Sequence, residues 1–263
     1  MGHAVQNLLE LRDVSLSFAG VSALSNIGFD VARGEICALI GPNGAGKSSL
    51  LNVITGVYRP DSGTIRLDGE LLARVTPNLI AKRGVARASQ NIALFKGMTV
   101  IENLLTGRAL RFQTGFLQHA LRTKAARREE AEQGAAAHQV LELLEIRHLS
   151  HATVGALPYG LQKRVELGRA LAAEPALLLL DEPMAGMTFE EKQDMCRFIV
   201  DVNEKLGTTI VLIEHDMGVV MDLSDHVVVL DYGRKVGDGA PAEVRKNPDV
   251  ISAYLGVTHG VAA

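Results

Sequence analysis

Eight consecutive residues, Gly41-Pro42-Asn43-Gly44-Ala45-Gly46-Lys47-Ser48, have the types and spacing needed to hold a chain of phosphates. Glycines let backbone N–H groups curl around phosphate oxygens with no Cβ in the way. A helix predicted to begin at Lys47 aims its positive end at the same anion. On this reading Lys47 reaches the β- and γ-phosphates, Ser48 gives its hydroxyl to Mg²⁺, and Ser49 completes the binding stretch. Four fixed positions match by chance in roughly one chain of this size in a hundred. The apolar strand before the loop and the helix after it make accident rarer still.

A second group lies far downstream. Leu177-Leu178-Leu179-Leu180 runs into Asp181-Glu182, a buried strand ending in two carboxylates. A strand apolar on both faces is expected in a parallel sheet covered by helices. Beside the phosphate loop, Asp181 would hold the Mg²⁺ shell and Glu182 would polarise an attacking water. Alone such a pair is commonplace, since helix capping explains many. Behind a phosphate loop it becomes persuasive.

These residues need a scaffold. Leu9–Phe18, Ile27–Val31, Glu35–Ile40 and Gly63–Leu67 read as strands, the last closed by the turn pair Asp68-Gly69. Lys47–Thr55 reads as a helix. Between about Arg87 and Gly160 strand formers thin out, and Glu102–Leu110, Arg122–Leu144 and Leu161–Ala173 carry helical periodicity. The charged run Arg127-Arg128-Glu129-Glu130 reads as a solvated helix face. Strand character returns at Ala176–Leu180, Thr208–Ile213 and His226–Leu230.

The chain of 263 residues is 47% hydrophobic, enough for one large domain or a core with a smaller lobe. A net charge of −3 gives no electrostatic footprint for nucleic acid. Two cysteines, Cys37 and Cys196, read as reduced thiols. No apolar run approaches the roughly 18–20 residues that cross a bilayer. The start lacks the pattern of a signal peptide, and Gln6 replaces the Ser or Thr that would make Gly2 a myristoylation site. A role at a membrane would therefore run through a partner.

Leu157-Pro158-Tyr159-Gly160-Leu161-Gln162 resembles the signature motif of ABC ATPases, and it lies just upstream of the carboxylate strand, as in that family. Gln90, in Ala88-Ser89-Gln90-Asn91, is similar to the family's Q-loop glutamine, and His215, in Ile213-Glu214-His215-Asp216, to its switch histidine. Phe18 sits where the family places an aromatic ring against adenine. Singly, each has a dull alternative: a loop glutamine, a strand-end histidine, a core phenylalanine. Together and in the family's order they carry the resemblance from about Leu9 to Gly256.

The resemblance implies an α/β fold: a P-loop NTPase core with a mixed sheet, an antiparallel β lobe and an inserted helical subdomain. Residues 1–86 and 165–230 would form the nucleotide-binding core with its β lobe, 87–164 the helical subdomain, and 231–263 a C-terminal extension. It implies ATP and Mg²⁺, and two subunits facing head to tail, as a homodimer or a heterodimer. The start of one subunit's signature helix, Pro158, Tyr159, Gly160 and Leu161, would then meet ATP on the partner's phosphate loop. Lys47 would hold the phosphates, Ser48 and Gln90 the Mg²⁺, and Asp181 its water shell. Glu182 would act as general base, and His215 would orient the water and sense the γ-phosphate.

Departures from the family pattern fall on the contacts between subunits. The usual signature Ser is Pro158, the usual first Gly is Tyr159, the usual Gln is Leu161, and the D-loop carries Thr188 where Asp is common. Losing one neutral hydrogen bond costs about 0.5–1.5 kcal/mol, too little to abolish a site.

Four stretches look like the bacterial branched-chain amino acid uptake ATPases: Gln90–Phe95, Met98–Leu104, Ile213–Met217 and the tail Asn247–Gly256. Importers of urea, amides and aromatic acids share the look. That implies membrane permease subunits, a periplasmic solute-binding protein acting indirectly, and a peripheral place on the cytoplasmic face of the inner membrane. Leu94, Phe95, Met98 and Val100 would floor a groove for a short permease helix, or simply pack the insertion on the core. A lipid or lipopolysaccharide exporter, a soluble non-transport ABC-type ATPase and a P-loop kinase are the rival readings.

Overall fold

The computed structural model describes residues 6–115, 118, 121 and 123–255. Gly2, the predicted helix start at Arg122 and the end of the tail motif at Gly256 lie outside them.

The chain opens with β1 (Asn7–Phe18) and β2 (Val21–Ala32), an antiparallel hairpin. Its two-residue turn, Ala19-Gly20, has both φ angles positive, the conformation that matches strand twist. β3 (Ile36–Ile40) is buried throughout, and the phosphate-binding sequence links it to α1 (Lys47–Ile54). β4 (Ser62–Leu67) pairs antiparallel with β1, and the Asp68-Gly69 turn returns the chain as the short β5 (Glu70–Leu71). α2 (Pro77–Lys82) follows, with Thr76 as its cap and Pro77 in the first turn, where a missing N–H costs nothing.

The next stretch carries β6 (Val85–Ala88), α3 (Val100–Gly107), α4 (Lys124–Leu143), α5 (Tyr159–Leu171), β7 (Leu177–Asp181) and α6 (Phe189–Leu206). The chain then returns through β8 (Thr209–Ile213), α7 (Met217–Leu223), β9 (His226–Asp231), β10 (Arg234–Gly239), α8 (Pro241–Val244) and α9 (Pro248–Leu255).

Two compact units result, one joining residues up to Arg83 with those from Gly207 onward, the other spanning Gly84–Leu206. The first holds an antiparallel sheet in the order β2-β1-β4-β5. It also holds a mixed sheet, in which β9 and β8 flank β3 in parallel and β10 closes the edge antiparallel to β9. In the second unit β6 runs parallel to β7, from Val85 opposite Leu177 to Ala88 opposite Leu180. The α/β fold with a mixed and an antiparallel sheet is as the sequence predicts.

Two helical boundaries differ from expectation, the first for a local reason. α3 stops at Gly107, where a Cβ would stand 2.1 Å from Arg169 O, so the glycine lets α3 press onto the backbone of α5. The buried Arg108 then turns inward to Ala172 O and Glu174, both at 2.8 Å, and a 3₁₀ turn at Ala109–Arg111 ends the segment. α5 begins at Tyr159, two residues before the predicted start. α6, for which no bounds were predicted, takes its buried face from Met195, Phe198, Ile199 and Val202 at helical spacing.

On α4, Arg127, Arg128 and Glu130 face solvent, whereas Glu129 turns in to accept the N–H groups of Gln113 and Thr114. No helix among the described residues is long and apolar enough to cross a membrane.

Candidate active site

In the first unit the phosphate-binding sequence forms a tight loop between the end of β3 and the start of α1. Gly41 has a φ of 144°, and a Cβ there would lie 2.0 Å from Leu230 O. Gly46, the N-cap of α1, has a φ of 102°, and its Cβ would lie 2.7 Å from Ala23 O. Only glycine satisfies both limits at either position. Outside the loop, Gly233 donates its N–H to Ala45 O at 3.0 Å and accepts from Ser25 N–H at 2.7 Å. The loop is thereby tied to β2.

Lys47 is buried, and its ammonium donates to Gly41 O at 2.7 Å and Pro42 O at 3.0 Å. The loop's own carbonyls thus hold the cation against the loop. Asn43, Gly44 and Ser48 are exposed; Ala45 is buried. A cradle with a buried cation, an exposed hydroxyl and a helix N-terminus can hold a polyphosphate without rearranging its backbone.

His215 leaves β8 at the same end of the sheet at which Gly41 leaves β3. The two strands are parallel neighbours, with Ala38 opposite Leu212, and ligands of parallel α/β sheets bind outside the carboxyl ends of strands. The His215 ring is exposed, and Asp216 caps α7 through Gly218 N–H at 3.1 Å. Phe18 is 44% exposed, its ring set edge-on to Tyr58 with centroids 5.1 Å apart.

The second unit brings Gln90, Asp181 and Glu182 together. β6 and β7 end side by side, so Gln90 stands next to the carboxylates, and its Nε2 donates to Glu182 Oε2 at 2.7 Å. Glu182 has a φ of 48°, a left-handed conformation that costs a non-glycine residue about 1–3 kcal/mol and collects at functional sites. Buried Lys163 of α5 braces this corner, donating to Gln90 O at 2.7 Å and Glu182 O at 3.4 Å. Arg87 of β6 pairs with the buried Asp181.

Sequence reasoning assigned no role to Lys163 or Arg87. The signal for Arg87 was there, a cation inside an otherwise small and apolar strand. Lys163 has no local signal, because its partners lie 73 and 19 residues away.

The signature residues form the start of α5. Pro158 is its N-cap and contributes no side-chain bond, and the first helical hydrogen bond runs from Gln162 N–H to Pro158 O at 3.0 Å. The N–H groups ahead of Gln162 therefore precede the helical ladder. Tyr159 is exposed, with Lys163 Nζ 5.9 Å from its ring centroid. Gly160 is buried, and a Cβ on it would meet Glu191 Oε1 at 2.0 Å. Leu161 is half-buried.

Thr188 does what an Asp could do at that place. It starts α6 in a reciprocal cap, its hydroxyl accepting Glu191 N–H at 3.3 Å while Glu191 Oε2 accepts Thr188 N–H at 2.9 Å.

Fold and loop together define the class. The chain belongs to the ABC transporter family, whose model matches residues 24–185. It is an ATP-binding subunit with ATPase activity, and such subunits work with membrane permease partners. Residues 234–260 match a second model, described as branched-chain amino acid ATP-binding cassette transporter. The chain is 41% identical over 249 residues to the high-affinity branched-chain amino acid transport ATP-binding protein BraF of Pseudomonas aeruginosa, spanning 95% of this chain and 98% of that one. LivG of Escherichia coli, described in the same terms, is 39% identical over 251 residues, with the same coverage. Among solved structures, the ADP conformation of MJ1267, an ATP-binding cassette of an ABC transporter, matches with a TM-score of 0.82 and 31% identity over 95% of this chain and 99% of that chain. A nucleotide-free ABC transporter cassette matches with a TM-score of 0.81 and 30% identity, over 94% and 98%.

Proposed function

We propose that this subunit powers uptake of branched-chain or other hydrophobic amino acids. In this reading two ATP-binding subunits sit on permease subunits at the cytoplasmic face of the membrane, and a solute-binding protein delivers the cargo. The single observation that carries the cargo assignment is the match of the C-terminal residues 234–260 to a model described by that transport class. Relatives named for the same cargo align over 95% of this chain, which adds support.

The chemistry proposed is phosphoryl transfer to water, which depends on positioning and charge stabilisation more than on covalent steps. Lys47 binds the β- and γ-phosphates. Ser48, Gln90 and Asp181 offer hydroxyl, amide and carboxylate oxygens, a hard donor set that fits Mg²⁺ with phosphates and waters completing its shell. When bound, Mg²⁺ neutralises charge on the phosphates. Glu182 takes the proton of the attacking water, and Gln90, at 2.7 Å, orients that carboxylate. His215 aligns the water, and Phe18 packs on adenine. The four signature residues Pro158, Tyr159, Gly160 and Leu161 approach the ATP of the second subunit. Residues 87–164 act as a helical subdomain carrying the signature toward that subunit, with 231–263 as a C-terminal extension.

Phe95 and Met98 form the proposed permease contact. They are 52% and 40% exposed, whereas Leu94 and Val100 are buried beneath them. The fully buried Asn103 fixes this loop, accepting Phe95 N–H at 2.9 Å and donating to Phe95 O at 3.1 Å and Thr99 O at 3.0 Å.

The test is reconstitution with permease subunits and a solute-binding protein in lipid vesicles. Leucine, isoleucine or valine on the binding protein is expected to raise Mg²⁺-dependent ATP hydrolysis and to enter the vesicle. Stimulation by urea, a short amide or an aromatic acid alone would reassign the cargo, and lipid movement without a binding protein would reverse the direction.

A further inference from the structure

A buried cation sits where three working segments of the second unit meet. Lys163 of α5 is 3% exposed, and burying an ammonium is costly unless its N–H groups find acceptors. Its Nζ donates to Gln90 O at 2.7 Å and to Glu182 O at 3.4 Å. The same nitrogen stands 5.9 Å from the ring centroid of Tyr159, one turn earlier on the same face of the helix. One ammonium thus touches the glutamine loop, the carboxylate corner and the start of the signature helix.

α5 gives that nitrogen a fixed origin. Arg164, the next residue, pairs with Asp194 of α6 and lies 5.0 Å from the ring centroid of the fully buried Phe198. At the helix start Gly160 lies against Glu191, and further along a Cβ on Gly168 would meet Leu144 Cδ1 at 3.1 Å. The acceptors of Lys163 are main-chain carbonyls, so the side chains of Gln90 and Glu182 stay available to react. Fixing the two carbonyls fixes the peptides from which those side chains leave, and the side chains meet at 2.7 Å. Glu182, with its φ of 48°, holds a conformation that persists only under outside support.

We propose that Lys163 is a positioning residue for hydrolysis: it ties the Gln90 and Glu182 peptides to the signature helix. The base thereby keeps its aim relative to the helix that meets the second subunit's ATP. This rests on Glu182 being the general base, and it adds a residue that works through Glu182 rather than on the nucleotide.

The experiment measures Mg²⁺-ATP hydrolysis by the full chain, Lys163→Met, Lys163→Gln, Lys163→Arg, Glu182→Gln and the pair Lys163→Met with Glu182→Gln. Each is assayed well below its thermal midpoint. Met fills the space of the lysine stem without a donor, Gln is a shorter neutral donor, and Arg keeps both charge and donors. A slightly misplaced group costs up to about 10²-fold in rate, so Lys163→Met should lower kcat about 10- to 100-fold with KM for ATP held. Lys163→Gln should show the same split, which keeps the test readable if Lys163→Met does not fold. Lys163→Arg should recover most of the loss. In the pair, Lys163→Met should add little to what Glu182→Gln costs alone. Parental kcat in the folded Met or Gln variant overturns the proposal, as do equal losses in Met and Arg or losses that multiply in the pair. Parental turnover in Glu182→Gln would remove the base itself and this inference with it, whereas a slow Glu182→Gln beside a parental Lys163→Met overturns this inference alone.

Discussion

Glu182 stands in a left-handed backbone conformation at the end of a five-residue buried strand, its carboxylate taken by Gln90 and its carbonyl reached by Lys163. A strained residue held by two long-range contacts is suited to aiming one oxygen pair at one place. Replacing it with Gln keeps the shape and removes the proposed base. Glu182→Gln is expected to bind ATP as the parent does and to hydrolyse it about 10²–10⁴ times more slowly, read by single-turnover phosphate release. Near-parental turnover would remove Glu182 from the role of base. Phe95 is a different case, because its ring is exposed and contributes little to the fold. Phe95→Asp is expected to abolish cargo-coupled hydrolysis in vesicles while the isolated subunit keeps its spontaneous ATPase rate. Parallel loss of both activities would mean a folding defect instead.

The helices are set by short signals at their ends. Thr99 and Glu102 cap α3 reciprocally, as Thr188 and Glu191 cap α6. A lost cap costs about 0.5–2 kcal/mol, so Thr188→Ala should lower the unfolding free energy by that amount, read as a lower urea midpoint with an unchanged slope. Thr188→Asp, which restores the residue common in the family, keeps an oxygen able to cap and should leave the midpoint close to the parent's. A midpoint insensitive to Thr188→Ala would show that α6 is held by its buried face alone. Gly107 and Gly168 act at the same scale. Added Cβ atoms would strike Arg169 O at 2.1 Å and Leu144 Cδ1 at 3.1 Å, so small residues set how closely α3 and α4 approach α5.

Across the sheet of the first unit, one imidazole joins strand ends that are distant in sequence. His226 of β9 contacts Asp238 at 2.6 Å through Nε2 and Glu35 at 3.2 Å through Nδ1. Asp238 also takes Lys235, and the buried Cys37 thiol lies against the ring. Hydrogen bonding to Asp238, Cys37 and Glu35, in that order, pushes the imidazole up to about 12, while burial pushes the Cys37 thiol up. Free imidazole titrates near roughly 6.5. Between those values the folded chain keeps a proton that the unfolded chain has lost, so this contribution to stability falls as pH rises. The thermal midpoint should therefore decline from about pH 7 toward pH 10, and His226→Gln should flatten that decline while lowering the midpoint at neutral pH. A variant with the parent's slope would assign the alkaline loss to other groups.

The sequence alone determined whatever depends on neighbouring residues. Glycines at the φ angles of the phosphate loop, an apolar strand ending in Asp181-Glu182 and the order of the family motifs were legible because backbone conformation and capping act over a few positions. The bounds of α6 were equally legible in its apolar spacing and went unread. Tertiary structure decided which groups meet. Gln90 finds Glu182 across 92 residues, and Arg87 finds Asp181 across 94, because β6 and β7 lie side by side in parallel. His226 comes to Glu35 and Asp238 by the same kind of placement. Which strands adjoin is set by burying apolar faces over the whole chain, and no short stretch of residues records it.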